Sequence, residues 1–199
     1  KYAKIIVRPN YGYDFFSYKI GIQHLLKTEE NSKKKKLIFL MASSLMYLNP
    51  LKLLKEFKKI KNTNNRVYTL SKSWEIQEHL QSDIFIFSMN LFKNKSFLNW
   101  WQKIKKFKSR QIIINKYELG FTKMIKKLEI DGKTLFIDNI LDFPNNIKKK
   151  IAVKIDNIFF KKVKIYKKNP THFYWEKIFK RFGLLKIELL KSNPHKINI

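Results

Sequence analysis

The chain has 199 residues, with 43 Lys and Arg against 15 Asp and Glu, a formal net charge of +28. Its hydrophobic content of 44% is enough for a sizeable core, and only 5 Gly and 5 Pro exclude a fibrous or low-complexity chain. The absence of Cys excludes a disulfide framework, a zinc-thiolate site and a cysteine nucleophile.

Ala3 to Val7 reads as a short buried strand that ends at Pro9, because proline cannot donate to a ladder. Phe15, Tyr18, Ile22 and Leu25 recur at helical spacing, so a loop after Pro9 passes into a helix. Lys33 to Lys36 form a charged loop, and Leu37 to Met41 (LIFLM) a second buried strand. Pro50 stands at the first position of a helix running to Ile60. Asn62 to Arg66 make a turn; Val67 to Leu70 and Asp83 to Phe87 read as strands. An amphipathic helix is expected over Phe92 to Phe107, with one of Trp100 and Trp101 in the core. Gln111 to Asn115 reads as extended and Phe121 to Leu128 as a helix. Asp131 to Lys168 reads as irregular, with apolar patches at Leu135–Ile137, Ile151–Ile155 and Val163–Ile165. Thr171 is the expected N-cap of a last helix, His172 to Phe182, which Gly183 stops.

Strands alternate with helices, so the expected class is α/β with a mostly parallel sheet flanked by helices. Residues 1–199 read as one domain, with a sheet core over 1–130 and a C-terminal extension over 131–199. Such sheets place ligands beyond the carboxyl ends of their strands. That directs attention to the loops after Val7, Met41 and Phe87. In the first loop Arg8 and Lys19 could hold a pyrophosphate, while Asn10 and Asp14 could hydrogen-bond a sugar or base. Gly12 permits a tight backbone turn there. The same residues also suit a plain capped strand-to-helix turn with surface charges.

Of the 43 basic residues 39 are Lys; Arg occurs only at 8, 66, 110 and 181. Base readers favour Arg, whose planar guanidinium donates bidentately. The charge therefore suits peripheral contact with an anionic membrane surface or a phosphate-linked lipid, or a plain solvated surface, and argues against specific nucleic-acid recognition. No stretch approaches the ~20 apolar residues that cross a bilayer.

Four segments, in order, carry a resemblance. RPNYGYDFFSYKIGI (Arg8–Ile22) is similar to the RENxGYDFGSYKxGL signature of the rhamnan synthesis protein F family. HLQSDIFIF (His79–Phe87) resembles its HLQSYFLVF segment, and NKYELGFTKMI (Asn115–Ile125) its YExGLT helix. NPTHFYWEKIFKRFGLLKIELLKSNP (Asn169–Pro194) resembles its NPTHxLWxxLIxxFGxPFIKxELLRxNP ending. The resemblance implies a glycosyltransferase of cell-surface polysaccharide synthesis: rhamnan, O-antigen of lipopolysaccharide, or capsule. Its partners would be a nucleotide-sugar donor and a lipid-linked glycan acceptor, at the inner face of the cytoplasmic membrane. The layout also resembles a GT-A glycosyltransferase that lacks its first strand-helix units, since Lys1 stands directly before the first strand.

That layout gives residues roles. Arg8, Asn10, Gly12, Asp14 and Lys19 fall on the donor side. Glu118 is the implied catalytic base, with Asp83 its rival. Gln81, Tyr117, His172 and Trp175 fall on the acceptor side. For Glu118 the alternative is a carboxylate stabilising a helix N-terminus; for His172 and Trp175 it is ordinary packing. Where the family carries an Asn-Asp-Ser-like segment, this chain has Ala42 and Ser43, and it has no Asp-x-Asp. Divalent Mg or Mn therefore stays open as a cofactor, with no metal ligands assigned. His24, His79 and His195 are too scattered for a metal cluster. A degenerate domain that binds glycan or a partner transferase is the alternative function, and a basic nucleic-acid-binding module the third.

Overall fold

The structure is a computed structural model, and it describes residues 5–7, 12–28, 36–61, 63–136, 169–194 and 196. Arg8, Asn10 and the apolar patches at 151–155 and 163–165 lie outside the described residues.

The fold is a mixed α/β arrangement built on a four-stranded sheet. Its strands are β1 (Leu37–Met41), β3 (Arg66–Thr69), β6 (Ile84–Ser88) and β7 (Asp131–Thr134), in the order β1-β6-β3-β7. β3 and β7 are parallel, whereas β6 runs antiparallel to both β1 and β3. The expected mostly parallel sheet is thus corrected. DIFIF reads as a strand, and every residue of β6 is buried. A continuous apolar run reports burial on both faces, which parallel strands usually show, but it is silent on direction.

The sheet is covered on both sides, and β6 divides its side chains between them. Phe85 and Phe87 join an aromatic core with Phe15, Phe97, Trp101 and Phe121. These come from helices α1 (Tyr13–Thr28), α3 (Lys95–Gln102) and α5 (Leu119–Lys127). Trp101 is buried in that core, and Trp100 packs half-buried against it. Ile84 and Ile86 face the other side, with Leu53 of helix α2 (Pro50–Phe57) and Ile178 and Phe182 of a C-terminal helix.

Several local expectations change. Ile5 to Val7 are not in a strand, and Ile5 and Val7 are 86% and 91% exposed. Strand-forming side chains need a ladder partner, and none of the described strands pairs with them. The helix expected from Phe92 begins instead as a 3₁₀ turn (Met89–Lys93) and restarts under an Asn94 cap, whose Oδ1 accepts from the N–H groups of Ser96 and Phe97 at 3.0 and 3.2 Å. Gln111 to Asn115 is helical, not extended: α4 (Arg110–Ile113) follows a Ser109 cap and passes into a π-helical turn, Ile114–Glu118. Asp131 to Thr134 is a strand rather than irregular chain, because it closes the sheet beside β3.

The C-terminal segment folds back onto the sheet. Asn169, not Thr171, caps helix α6 (Pro170–Phe173), accepting from the Thr171 N–H at 3.0 Å. Helix α7 (Trp175–Phe182) then ends at Gly183, which adopts φ +68°. A Cβ at Gly183 would lie 2.6 Å from the Asn49 carbonyl oxygen, so the position needs glycine for space as well as for conformation. Strand β8 (Leu184–Lys186) pairs antiparallel with β2 (Leu45–Tyr47), and helix α8 (Ile187–Lys191) follows. Strands β4 (Lys72–Ser73) and β5 (His79–Leu80) form a small hairpin leading into β6. Among the described residues no helix is long and apolar enough to cross a membrane.

Candidate functional site

Register decides where chemistry can gather. Met41 pairs with Ile84 and Thr69 with Phe85, so the carboxyl ends of β1 and β3 share an edge with the start of β6. The loop after Phe87, expected to carry ligand groups, leaves from the opposite edge, because β6 is reversed. Gln81, Ser82 and Asp83, just before β6, take that place.

A cleft of about 890 Å³ opens at this edge. Asp14, Gln81, Asp83, Glu118 and His172, from four separate stretches of chain, all line it. The other expected residues among those described lie elsewhere. Gly12 turns the chain into α1 at φ +84°. Lys19 donates to the Ile104 carbonyl at 2.8 Å, away from the cleft. Tyr117 is buried in the aromatic core, where its hydroxyl accepts from the Lys105 N–H at 2.6 Å. Trp175 starts α7 half-buried and does not line the cleft.

Glu118 ends the π-helical turn and faces the cleft. Such turns widen a helix locally and often coincide with functional positions. Its Oε1 accepts from Ser82 Oγ at 2.5 Å, and its Oε2 lies 3.5 Å from His79 Nε2. His79 Nδ1 is 2.8 Å from the Gln77 carbonyl, which orients the ring so that Nε2 addresses Glu118. Burial opposes the charged imidazole, but Glu118 and the Gln77 carbonyl outweigh it and raise the His79 pKa. Two polar neighbours thus hold Glu118 in one orientation.

Asp83 is 5% exposed and its Oδ1 pairs with the Lys186 ammonium. Lys186 also donates to Ser44 Oγ at 3.2 Å. Asp83 Oδ2 is buried and has no hydrogen-bond partner among the described residues. Asp14 stands in the first turn of α1. Burial, then the charge of Asp83, raises its pKa, although Lys186 pulls the other way. Gln81 is held at both ends of its amide: it accepts from Ser71 Oγ at 2.5 Å and donates to Asn169 Oδ1 at 3.0 Å. That contact ties the C-terminal segment to the hairpin. On the far wall Arg110 grips Glu188 at 3.2 and 3.4 Å, and His172 Nε2 lies 3.6 Å from Glu188 Oε2. Burial opposes the Glu188 charge, but Arg110 holds its pKa below the usual range.

Five carboxylates (Asp14, Glu75, Asp83, Glu118 and Glu188) therefore line the cleft beside Lys186 and Arg110, in a chain of net charge +28. Carboxylates and imidazoles suit the hydroxyl groups of a sugar, accepting their protons in hydrogen bonds. The most buried of these acids already pairs with an ammonium, and no three ligating side chains converge among the described residues. Asp14 carries a cost that can be tested. Its carboxyl pKa is higher in the fold than when unfolded, so its contribution to stability is present while protonated and lost as pH rises through the folded value. Asp14→Asn is expected to raise the melting temperature by a few degrees at neutral pH, and the gain should shrink in melts taken as pH falls through the carboxylate range.

His79, Arg110, Lys186 and Glu188 were not singled out as site residues from the sequence. Lys186 is 103 residues from Asp83 along the chain, and no local spacing announces their pairing. His79, Lys186 and Glu188 do lie within the recognisable segments, the one signal that pointed towards them.

The Virulence protein VirA of Vibrio anguillarum is 27% identical over 201 aligned positions, covering 95% of this chain and 62% of VirA. The Uncharacterized protein y4gN of Sinorhizobium fredii is 28% identical over 149 positions, covering 72% of this chain and 38% of that protein. The chain thus spans less than two thirds of the length of these relatives. No solved structure matches it. Residues 2–181 match the family described as rhamnan synthesis protein F, so the chain belongs to that family, whose role lies in rhamnan and related polysaccharide synthesis.

Proposed function

We propose that the cleft is the site of a glycosyl transfer, moving rhamnose or a related sugar from a nucleotide-linked donor to a hydroxyl of a lipid-linked glycan. The observation that carries this reading is Glu118, facing a sugar-sized cleft and oriented by Ser82 and His79. Glu118 takes the acceptor proton as the acceptor oxygen bonds to the anomeric carbon. The bond from that carbon to the phosphate oxygen breaks, and the diphosphate leaves. With a β-linked donor the product is α-linked, by inversion. Lys186 and Arg110 are the cleft's cations towards the departing charge, with Arg8 as a further candidate. Asp14, Gln81 and His172 bind sugar hydroxyls. The sheet and its flanking helices serve as a GT-A-like core, and the reaction takes place on the inner face of the cytoplasmic membrane in rhamnan, O-antigen or capsule synthesis.

The test is calorimetric titration of nucleotide-linked rhamnose, galactose and glucose, with and without Mg or Mn. Both this chain and a form extended to the length of its relatives are used. Saturable binding that selects one sugar is expected in at least the longer form. Failure of both, with the fold intact, would overturn the reading in favour of a non-catalytic glycan- or partner-binding domain. Ala42 and Ser43, where the family carries an acid, favour that second reading.

A further inference from the structure

Helix α2 is built in an unusual way for a surface helix. Its inward face is Leu53, Glu56 and Phe57, and Glu56 is tied down by Arg181 at 2.7 and 3.0 Å. Its outward face carries Leu51 and Leu54, 78% and 51% exposed, one helical turn apart. Leu48, just before the helix, is 50% exposed. Lys55 and Lys58 are exposed on the same outward side, and Lys52 lies 5.8 Å from the ring of Phe179, itself 36% exposed. The one carboxylate of the helix points inward, so this face joins apolar tips to lysines that no carboxylate among the described residues pairs with.

We propose that this face docks on an anionic lipid bilayer, with Leu48, Leu51 and Leu54 entering the boundary between headgroups and acyl chains. Leucines ringed by lysines fit that boundary: acyl chains receive the first and anionic headgroups the second. A neutral protein partner would leave the lysines uncompensated, and a purely electrostatic contact would leave the leucines in water. The contact is peripheral, because α2 has only 8 residues. Strand β2 joins Leu48 of this face to Ser44 of the cleft, so docking would bring the cleft mouth to the bilayer that holds a lipid-linked substrate. Only this last link rests on the transfer reading; the docking face stands without it.

The chain has no Cys, so single labels report cleanly. An environment-sensitive fluorophore is placed at Leu51→Cys, and as a control at Lys123→Cys on α5, across the sheet. Vesicles are phosphatidylcholine alone or with phosphatidylglycerol, at physiological salt. The label at 51 should shift to the blue and be quenched by lipid-borne quencher with anionic vesicles only, while the label at 123 stays in water. The unlabelled pair Leu51→Ser/Leu54→Ser, which keeps the net charge, should co-sediment with anionic vesicles about tenfold more weakly, with an unchanged circular dichroism spectrum. Four results would overturn the proposal. Parental binding by the serine variant, or equal response at both labels, would leave only diffuse charge attraction. No vesicle binding by the parent would remove the docking itself. A shift at 51 that grows with protein concentration and needs no vesicles would assign the face to a second copy of the chain. A loss of vesicle binding with donor binding intact would separate this proposal from the fate of the transfer reading.

Discussion

Replacing Glu118 by Gln is expected to lower the rate of sugar transfer by roughly 10²–10⁴-fold and to leave donor affinity unchanged. Gln preserves the shape of Glu and can still accept from Ser82 Oγ, so the π-helical turn and the packing of α5 should survive. What it loses is the capacity to take a proton. An effect on turnover without one on donor affinity is the mark of a group that acts in the transition state. Initial rates at saturating donor, alongside a calorimetric affinity, separate the two. Turnover equal to the parent's would remove Glu118 as the base and turn attention to Asp83. Asp83 has one oxygen committed to Lys186 and the other unpartnered among the described residues.

The second large effect concerns stability. Lys186→Met should destabilise the fold by roughly 3–5 kcal/mol, read as a lower denaturant midpoint. Lys186 and Asp83 have side chains 9% and 7% exposed, so removing the ammonium strands a buried carboxylate whose other oxygen has no partner among the described residues. The sign comes from that stranding rather than from the worth of the pair. Replacing both partners by apolar residues, Lys186→Met with Asp83→Leu, should therefore recover most of the loss. A double variant no more stable than Lys186→Met would show that the pair is not what holds β8 to the cleft edge. The pair joins β8 to the start of β6, so it also fixes where the C-terminal segment meets the sheet.

Part of the lining of the candidate cleft was legible before the structure. Glu118, Asp83, Asp14, Gln81 and His172 came from four recognisable segments, and one cleft holds them all. Lys19 and Tyr117 lie in the same segments but turn away, into the helix packing and the aromatic core. In a helix, neighbours in sequence point to different faces, so a motif brings structural residues along with cleft residues.

Local pattern was enough wherever the physics is local. LIFLM forms a strand, but only Ile38 and Leu40 are buried while Leu37, Phe39 and Met41 are exposed, so the expected burial on both faces is corrected; Pro50 opens its helix, and Gly183 ends one in a conformation that glycine adopts freely. Proline and glycine act through the limits of their own backbone, and these helix ends the sequence determined by itself, whereas the caps at Asn94 and Asn169 it did not. Strand direction was different. DIFIF would read the same in either orientation, and the tertiary structure reversed β6 and moved the cleft groups from its end to its beginning. The same holds for Asp131–Thr134, whose Gly and charged residues announce no strand until β3 supplies its ladder. It holds for Lys186 and Asp83, whose pairing depends on β8 meeting β2 far along the chain. Pairing across long stretches of chain is decided only when the two sheet faces find their cover, and that required the folded molecule.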